Sequence, residues 1–163
     1  QTETLLLEGA VDCAWMYRPW EVLRAARAGV ALREFRPREY GVPFGYMNCL
    51  VVSKALVAKA EGRDLVRRFL AAAGEGAAWA AADPIHAGSL LASMAGTRGV
   101  GGDSGLGDAE FNCQSIKALM ALGGLLPDAA AAAAGARWGK MEAERWMSFV
   151  EWAERQPNGL AVS

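Results

Sequence analysis

Histidine, cysteine, long apolar runs and net charge are all scarce in this 163-residue chain, and each shortage removes a class of function. His86 is the sole histidine and has no partners at ligand spacing, so no histidine-based metal site is expected and no cofactor is implied. The same shortage disposes of Gly102-Asp103-Ser104-Gly105, which spells a serine-protease motif: His86 sits in a helix-forming stretch, and the many short strands of a protease barrel are missing. Three cysteines, Cys13, Cys49 and Cys113, are odd in number and far apart, matching neither a zinc spacing nor a disulfide framework. Buried free thiols are the expectation. A net charge of -1 removes any argument for an electrostatic nucleic-acid partner, which would need a clustered basic face, and none is expected. Arg27, Arg33, Arg36 and Arg38 form the one basic stretch, but Glu34 and Glu39 interrupt it, which reads as solvated surface. No uncharged apolar run approaches the ~18 residues of a membrane span, so no membrane insertion is expected, and the run Ala129–Ala134 is too weakly hydrophobic to insert. The first residues carry neither a basic nor an apolar leader region, and localisation stays open. The start at Gln1 rather than methionine leads us to expect a processed or truncated product.

What is present is apolar residue, 53% of the chain, enough for the core of one ordinary domain. Val11 to Tyr17, preceded by Gly9, reads as a buried strand. Pro19 opens a helix through Ala28, with Val22, Leu23 and Ala26 on one face and Gly29 as its stop. Val30 to Phe35 and Met47 to Val52 are two further strand candidates, separated by the turn-rich Tyr40 to Gly45. From residue 54 the pattern turns helical. Leu65, Val66, Phe69, Leu70 and Ala73 recur at helical spacing, with Gly74 and Gly76 as weak interruptions. Asp83-Pro84 caps a helix through Leu91, Thr97 to Gly107 is a glycine-rich loop, Asp108 opens a helix through Leu122, and Lys140 to Arg155 forms the last. Strands alternating with helices predict an α/β fold with a few parallel strands, over residues 1–53, followed by a helix-rich C-terminal region over 54–163. Three strands are few for so much helix, which leads us to expect further strands upstream of Gln1 in the native product.

The stretch Gly9-Ala10-Val11-Asp12-Cys13-Ala14-Trp15, followed by Trp20-Glu21 and the helix ending at Gly29, resembles the return strand of a known family. The order continues with Gly41-Val42-Pro43, the run NCLVVS, the stretch from Leu65 to Leu91, and Trp138-Gly139-Lys140-Met141 with Arg145-Trp146. The whole is similar to the C-terminal portion of a type II periplasmic-binding-protein-like domain, in the nitrate, sulfonate and thiamine-pyrimidine-precursor group (NMT1/THI5-like, SsuA-like). The resemblance implies a partial two-lobed domain. It would bind a small nitrogenous or anionic organic molecule, deliver it to an ABC transporter permease, and do no chemistry. It also implies a periplasmic or membrane-exterior location for a bacterial binding protein, and a cytoplasmic one otherwise. The alternative from the same group is a thiamine-pyrimidine synthase. Those enzymes carry a cysteine-dense cluster where this chain has Phe44-Gly45-Tyr46-Met47-Asn48-Cys49, with one cysteine. A single thiolate is a poor iron site, so binding is favoured over synthesis.

The candidate ligand contacts are Trp15, Tyr17, Trp20, Glu21, Tyr46 and Asn48. The first four lie at or just after the C-terminal end of the expected first strand, where open α/β sheets bind ligands. Aromatic faces stack on a heteroaromatic ring, a carboxylate accepts its amino hydrogens, and an amide reads a ring edge with both donor and acceptor. Structural readings stand beside these: tryptophan as core, Glu21 as a first-turn acid favoured by the helix dipole, and Tyr46 and Asn48 as a turn leading into a strand. Trp146, Phe149 and Trp152 read as a packing stripe.

Overall fold

The computed structural model describes residues 2–46, 49–99, 105–122 and 138–156. Helix α1 spans Thr2–Leu7. A π-helical turn over Arg18–Val22 leads into α2, Leu23–Arg27, and a 3-10 turn follows at Pro37–Tyr40. The remaining helices are α3 (Lys54–Ala58), α4 (Ala60–Ala82), α5 (Pro84–Thr97), α6 (Ala109–Ala121) and α7 (Ala143–Glu154).

Among the described residues there is no strand, so the expected α/β fold with parallel strands is wrong. The three apolar runs behave as strands only locally. The residues that end or follow them, Tyr17, Arg36 and Ser53, are extended. A strand also needs a neighbour about 4.8 Å away to complete its hydrogen-bond ladder, and none of the described segments supplies one. Their side chains show the consequence: Val51 is 88% exposed, Trp15 62% and Phe35 60%.

The helical expectations fare better, because helix ends are encoded locally. Gly29 adopts φ 76° after α2, and the Val30 N–H reaches the Ala25 carbonyl at 2.9 Å, closing the helix as the sequence indicates. The Asp83 carboxylate accepts from the His86 N–H at 3.0 Å, and that of Asp108 accepts from the Phe111 N–H at 2.9 Å. The Ser53 hydroxyl does the same for Leu56 at 3.1 Å. Helix α4 runs unbroken through Gly74 and Gly76, and α5 continues past Leu91 to Thr97.

The chain divides into two units, residues 1–32 with 69–139 and residues 33–68 with 140–163. The first holds the core. Ala87 and Ile116 are buried there, packed against Ala77, Ala80, Ala81, Leu119, Met120 and Trp138. Small residues allow α5 and α6 to approach closely. A Cβ added to Gly88 would stand 2.6 Å from the Ala109 carbonyl oxygen and 2.8 Å from the Cys113 nitrogen. Asn112, 1% exposed, spans the same crossing by donating from Nδ2 to the carbonyls of Gly88 (3.3 Å) and Leu106 (2.8 Å). Its Oδ1 finds no hydrogen-bond partner.

In the second unit aromatic contacts join segments far apart in the chain. Phe44 meets Phe149 edge-on at 5.7 Å, and Phe149 stacks on Trp152 at 5.8 Å. Arg63 donates to the carbonyls of Val57 and Ala58, at 2.9 Å each, and so ties the end of α3 to the start of α4. Buried thiols were expected throughout, and this holds for Cys113 alone: Cys13 is exposed and Cys49 half-buried. Cys13 lies on the run that was expected to be a buried strand, and without a sheet nothing covers it. No described helix is long and apolar enough to cross a membrane.

Candidate functional site

Around the first candidate cluster the chain is pinned at several points. Pro19 is almost fully buried at the start of the π-helical turn, where its missing N–H leaves nothing unsatisfied. The Tyr17 carbonyl accepts from the N–H of Trp20 at 2.9 Å and, five residues on, from that of Val22 at 3.5 Å. Glu21 reaches back with Oε2 to the Tyr17 N–H at 2.8 Å. That is a carboxylate accepting from a backbone donor at a helix start, as in a capping box.

Trp20 sits edge-on to Phe111 with ring centroids 4.7 Å apart. Phe111 is 2% exposed, so Trp20 fastens the turn to α6. The Arg27 guanidinium lies 5.6 Å from the centre of the same Phe111 ring and pairs with Asp108 at 2.7 Å. Asp108 is therefore held below its ordinary carboxyl range. The hydrogen bond from the Phe111 N–H is the main cause, desolvation works against it, and the charge and hydrogen bond of Arg27 add to it, with the Glu110 N–H last. Glu3, 7% exposed, is neutralised by Arg24 at 3.0 Å.

The four residues thus separate by job. Glu21 and Trp20 hold the turn in place. Trp15 presents an exposed ring, and half-buried Tyr17 lies between it and the turn. The expectation that they line the end of a parallel strand falls with the sheet.

Tyr46, in the second unit, is half-buried. Its hydroxyl accepts from the Glu142 N–H at 2.9 Å, and its ring lies 5.6 Å from that of Trp146. The Arg145 guanidinium sits 4.3 Å above the Tyr46 ring. Asn48 lies outside the described residues, as do Gly102, Asp103 and Ser104 of the protease-like motif. His86 is exposed, edge-on to Trp79 at 5.2 Å. Among the described residues no three His, Cys, Asp or Glu side chains gather as a metal site would require.

Sequence reasoning missed Arg27, Phe111, Asn112 and Arg145. Asp108 was legible as a helix cap, but its partner Arg27 stands 81 positions away, and no local pattern joins them. Arg145 was noted only as part of a short motif beside Trp146.

The family model described as NMT1/THI5 like matches residues 1–87, just over half of the chain, and all six candidate positions fall inside it. No curated protein and no solved structure matches the chain. The family comprises small-molecule-binding proteins and thiamine-pyrimidine synthases, which sets the chain's role as binding or thiamine-pyrimidine related. The chain belongs to the NMT1/THI5-like family.

Proposed function

We propose that this chain is a small-molecule-binding module of the kind that serves an ABC transporter. The ligand is a nitrogenous or anionic organic molecule such as a thiamine pyrimidine precursor or a sulfonate, or else nitrate. The observation that carries the reading is the Trp15 ring, 62% exposed on a segment anchored by the Tyr17–Glu21 hydrogen bond and the Trp20–Phe111 contact. A large aromatic side chain more than half exposed next to an anchored turn is suited to stacking on a planar heterocycle. Within the first unit Trp15 and Tyr17 are the contacts we assign, with Trp20 and Glu21 holding them in position; Tyr46 belongs to the second unit and is a candidate contact by itself. Synthesis is the weaker reading, because the segment Phe44–Cys49 offers one thiol where an iron-holding cluster needs several.

The test is calorimetry on the full chain with 4-amino-5-hydroxymethyl-2-methylpyrimidine, taurine and nitrate as separate probes. Saturable binding of one of them is expected, with a dissociation constant below about 1 mM. Replacing Trp15→Ala should weaken it by about 3–10-fold, the value of one aromatic stack of ~0.5–1.5 kcal/mol. If none of the three binds, or if Trp15→Ala binds as wild type does, the assignment fails. Iron-dependent formation of a pyrimidine product would instead establish the synthase.

A further inference from the structure

We propose that Arg145, set between Tyr46 and Trp146, is an oxyanion-binding residue for a small organic ligand bearing a carboxylate, sulfonate or phosphate group. The proposal extends the small-molecule-binding reading to a second contact surface and rests on it. A guanidinium is planar and uses its face to stack, so stacking leaves the N–H donors along its edge available. The central carbon of the Arg145 guanidinium lies over the Tyr46 ring, 4.3 Å from its centre. The platform beneath it is immobilised: the Tyr46 hydroxyl is hydrogen-bonded to the Glu142 N–H at 2.9 Å, and Trp146 lies 5.6 Å away at a tilt of 43°.

Most other arginines of this unit are differently employed, and Arg155, exposed at the end of α7, lies on no aromatic ring among the described residues. Arg36 pairs with Glu34 and Glu39, Arg67 and Arg68 both pair with Asp64, and Arg63 caps α3. Arg33 also stacks, on Phe35, but that ring and neighbouring Tyr40 are both more than half exposed, so nothing fixes the platform. Among the described residues no carboxylate comes within 4.0 Å of the Arg145 guanidinium, although Glu142 and Glu144 are its near neighbours on the chain.

Those two carboxylates reduce the local positive potential. Recognition must then come from the paired N–H···O bonds that the planar fork offers an oxyanion, rather than from net charge. A second guanidinium reaches the backbone two residues before Tyr46, since Arg38 donates to the Phe44 carbonyl at 3.0 Å. The half-exposed Trp146 ring gives an aromatic or planar part of the ligand a surface to lie against.

The experiment titrates the full chain with phenyl phosphate, benzenesulfonate and benzoate, with phenol as the uncharged counterpart. It uses calorimetry and follows the Arg145 Nε–H resonance by NMR. At least one of the anions should bind and shift that resonance. Arg145→Gln should weaken binding tenfold or more and leave any phenol binding unchanged. Arg145→Lys, which keeps the charge and loses the fork, should fall between. Circular dichroism of both variants should match wild type.

A wild-type chain that binds none of the three anions overturns the proposal, as does an Arg145→Gln variant that binds within twofold of wild type. Pyrimidine binding that depends on Trp15, without anion binding, overturns this site alone. Anion binding that depends on Arg145, without any Trp15-dependent ligand, supports this site and removes the Trp15 assignment.

Discussion

Replacing Gly88→Ala should destabilise the chain, although it puts a better helix former in the middle of a helix. In open space the exchange stabilises a helix by about 1 kcal/mol. At Gly88 the new Cβ would stand 2.6 Å from the Ala109 carbonyl oxygen and 2.8 Å from the Cys113 nitrogen. Both obstacles are backbone atoms of α6, so no side chain can rotate away and the two helices must separate. Overpacking of this kind costs about 1–3 kcal/mol. Separation also stretches the 3.3 Å bond from Asn112 to the Gly88 carbonyl, placing a further ~1 kcal/mol at risk. The net expectation is a loss of about 1–3 kcal/mol, or a fall in Tm of about 2–4 °C per kcal/mol for a chain of this size.

Gly76→Ala is the matched control. It lies inside α4, and a Cβ there meets nothing within 4 Å, so it should stabilise by up to about 1 kcal/mol. Urea unfolding followed by far-UV circular dichroism measures both. If Gly88→Ala proves as stable as wild type, α5 and α6 do not cross at this distance and the account of the core is wrong.

Two further outcomes follow from the same unit. Asp108 has its folded pKa below the ordinary value of 3.8, so its contribution to stability is complete above that value and is lost as pH falls through the lower, folded one. Wild type should therefore exceed Asp108→Asn in stability by a constant margin at pH 5–7, closing in stronger acid; a margin unchanged by acid would contradict the Arg27–Asp108–Phe111 arrangement. Cysteine exposure sets an order of modification: Cys13 should react first with a thiol reagent, Cys49 more slowly and Cys113 only on unfolding, as mapped by mass spectrometry of the labelled peptides. Labelling of Cys113 at the rate of Cys13 in the native protein would show that the α5–α6 pair does not exclude the reagent.

Local chemistry alone determined the helices and their ends. Asp83, Asp108 and Ser53 cap as their side chains require, Pro84 opens α5, and Gly29 closes α2, because each acts on backbone groups within a few residues. The order of motifs along residues 1–87 likewise carried the family. The strands were not decided at this level. An apolar, β-branched run such as Cys49 to Val52 expresses a demand for burial, but a sheet exists only where a second segment meets that demand, and the described residues offer none. The same holds for individual side chains. Trp15 and Trp20 were equivalent candidates in the sequence, and tertiary structure separated them by setting Phe111 against Trp20 while Trp15 stays more than half exposed. Arg27 meeting Asp108 and Arg145 lying over Tyr46 are also matters of tertiary structure, since partners 81 and 99 positions apart are brought together by packing and not by any pattern the chain carries locally.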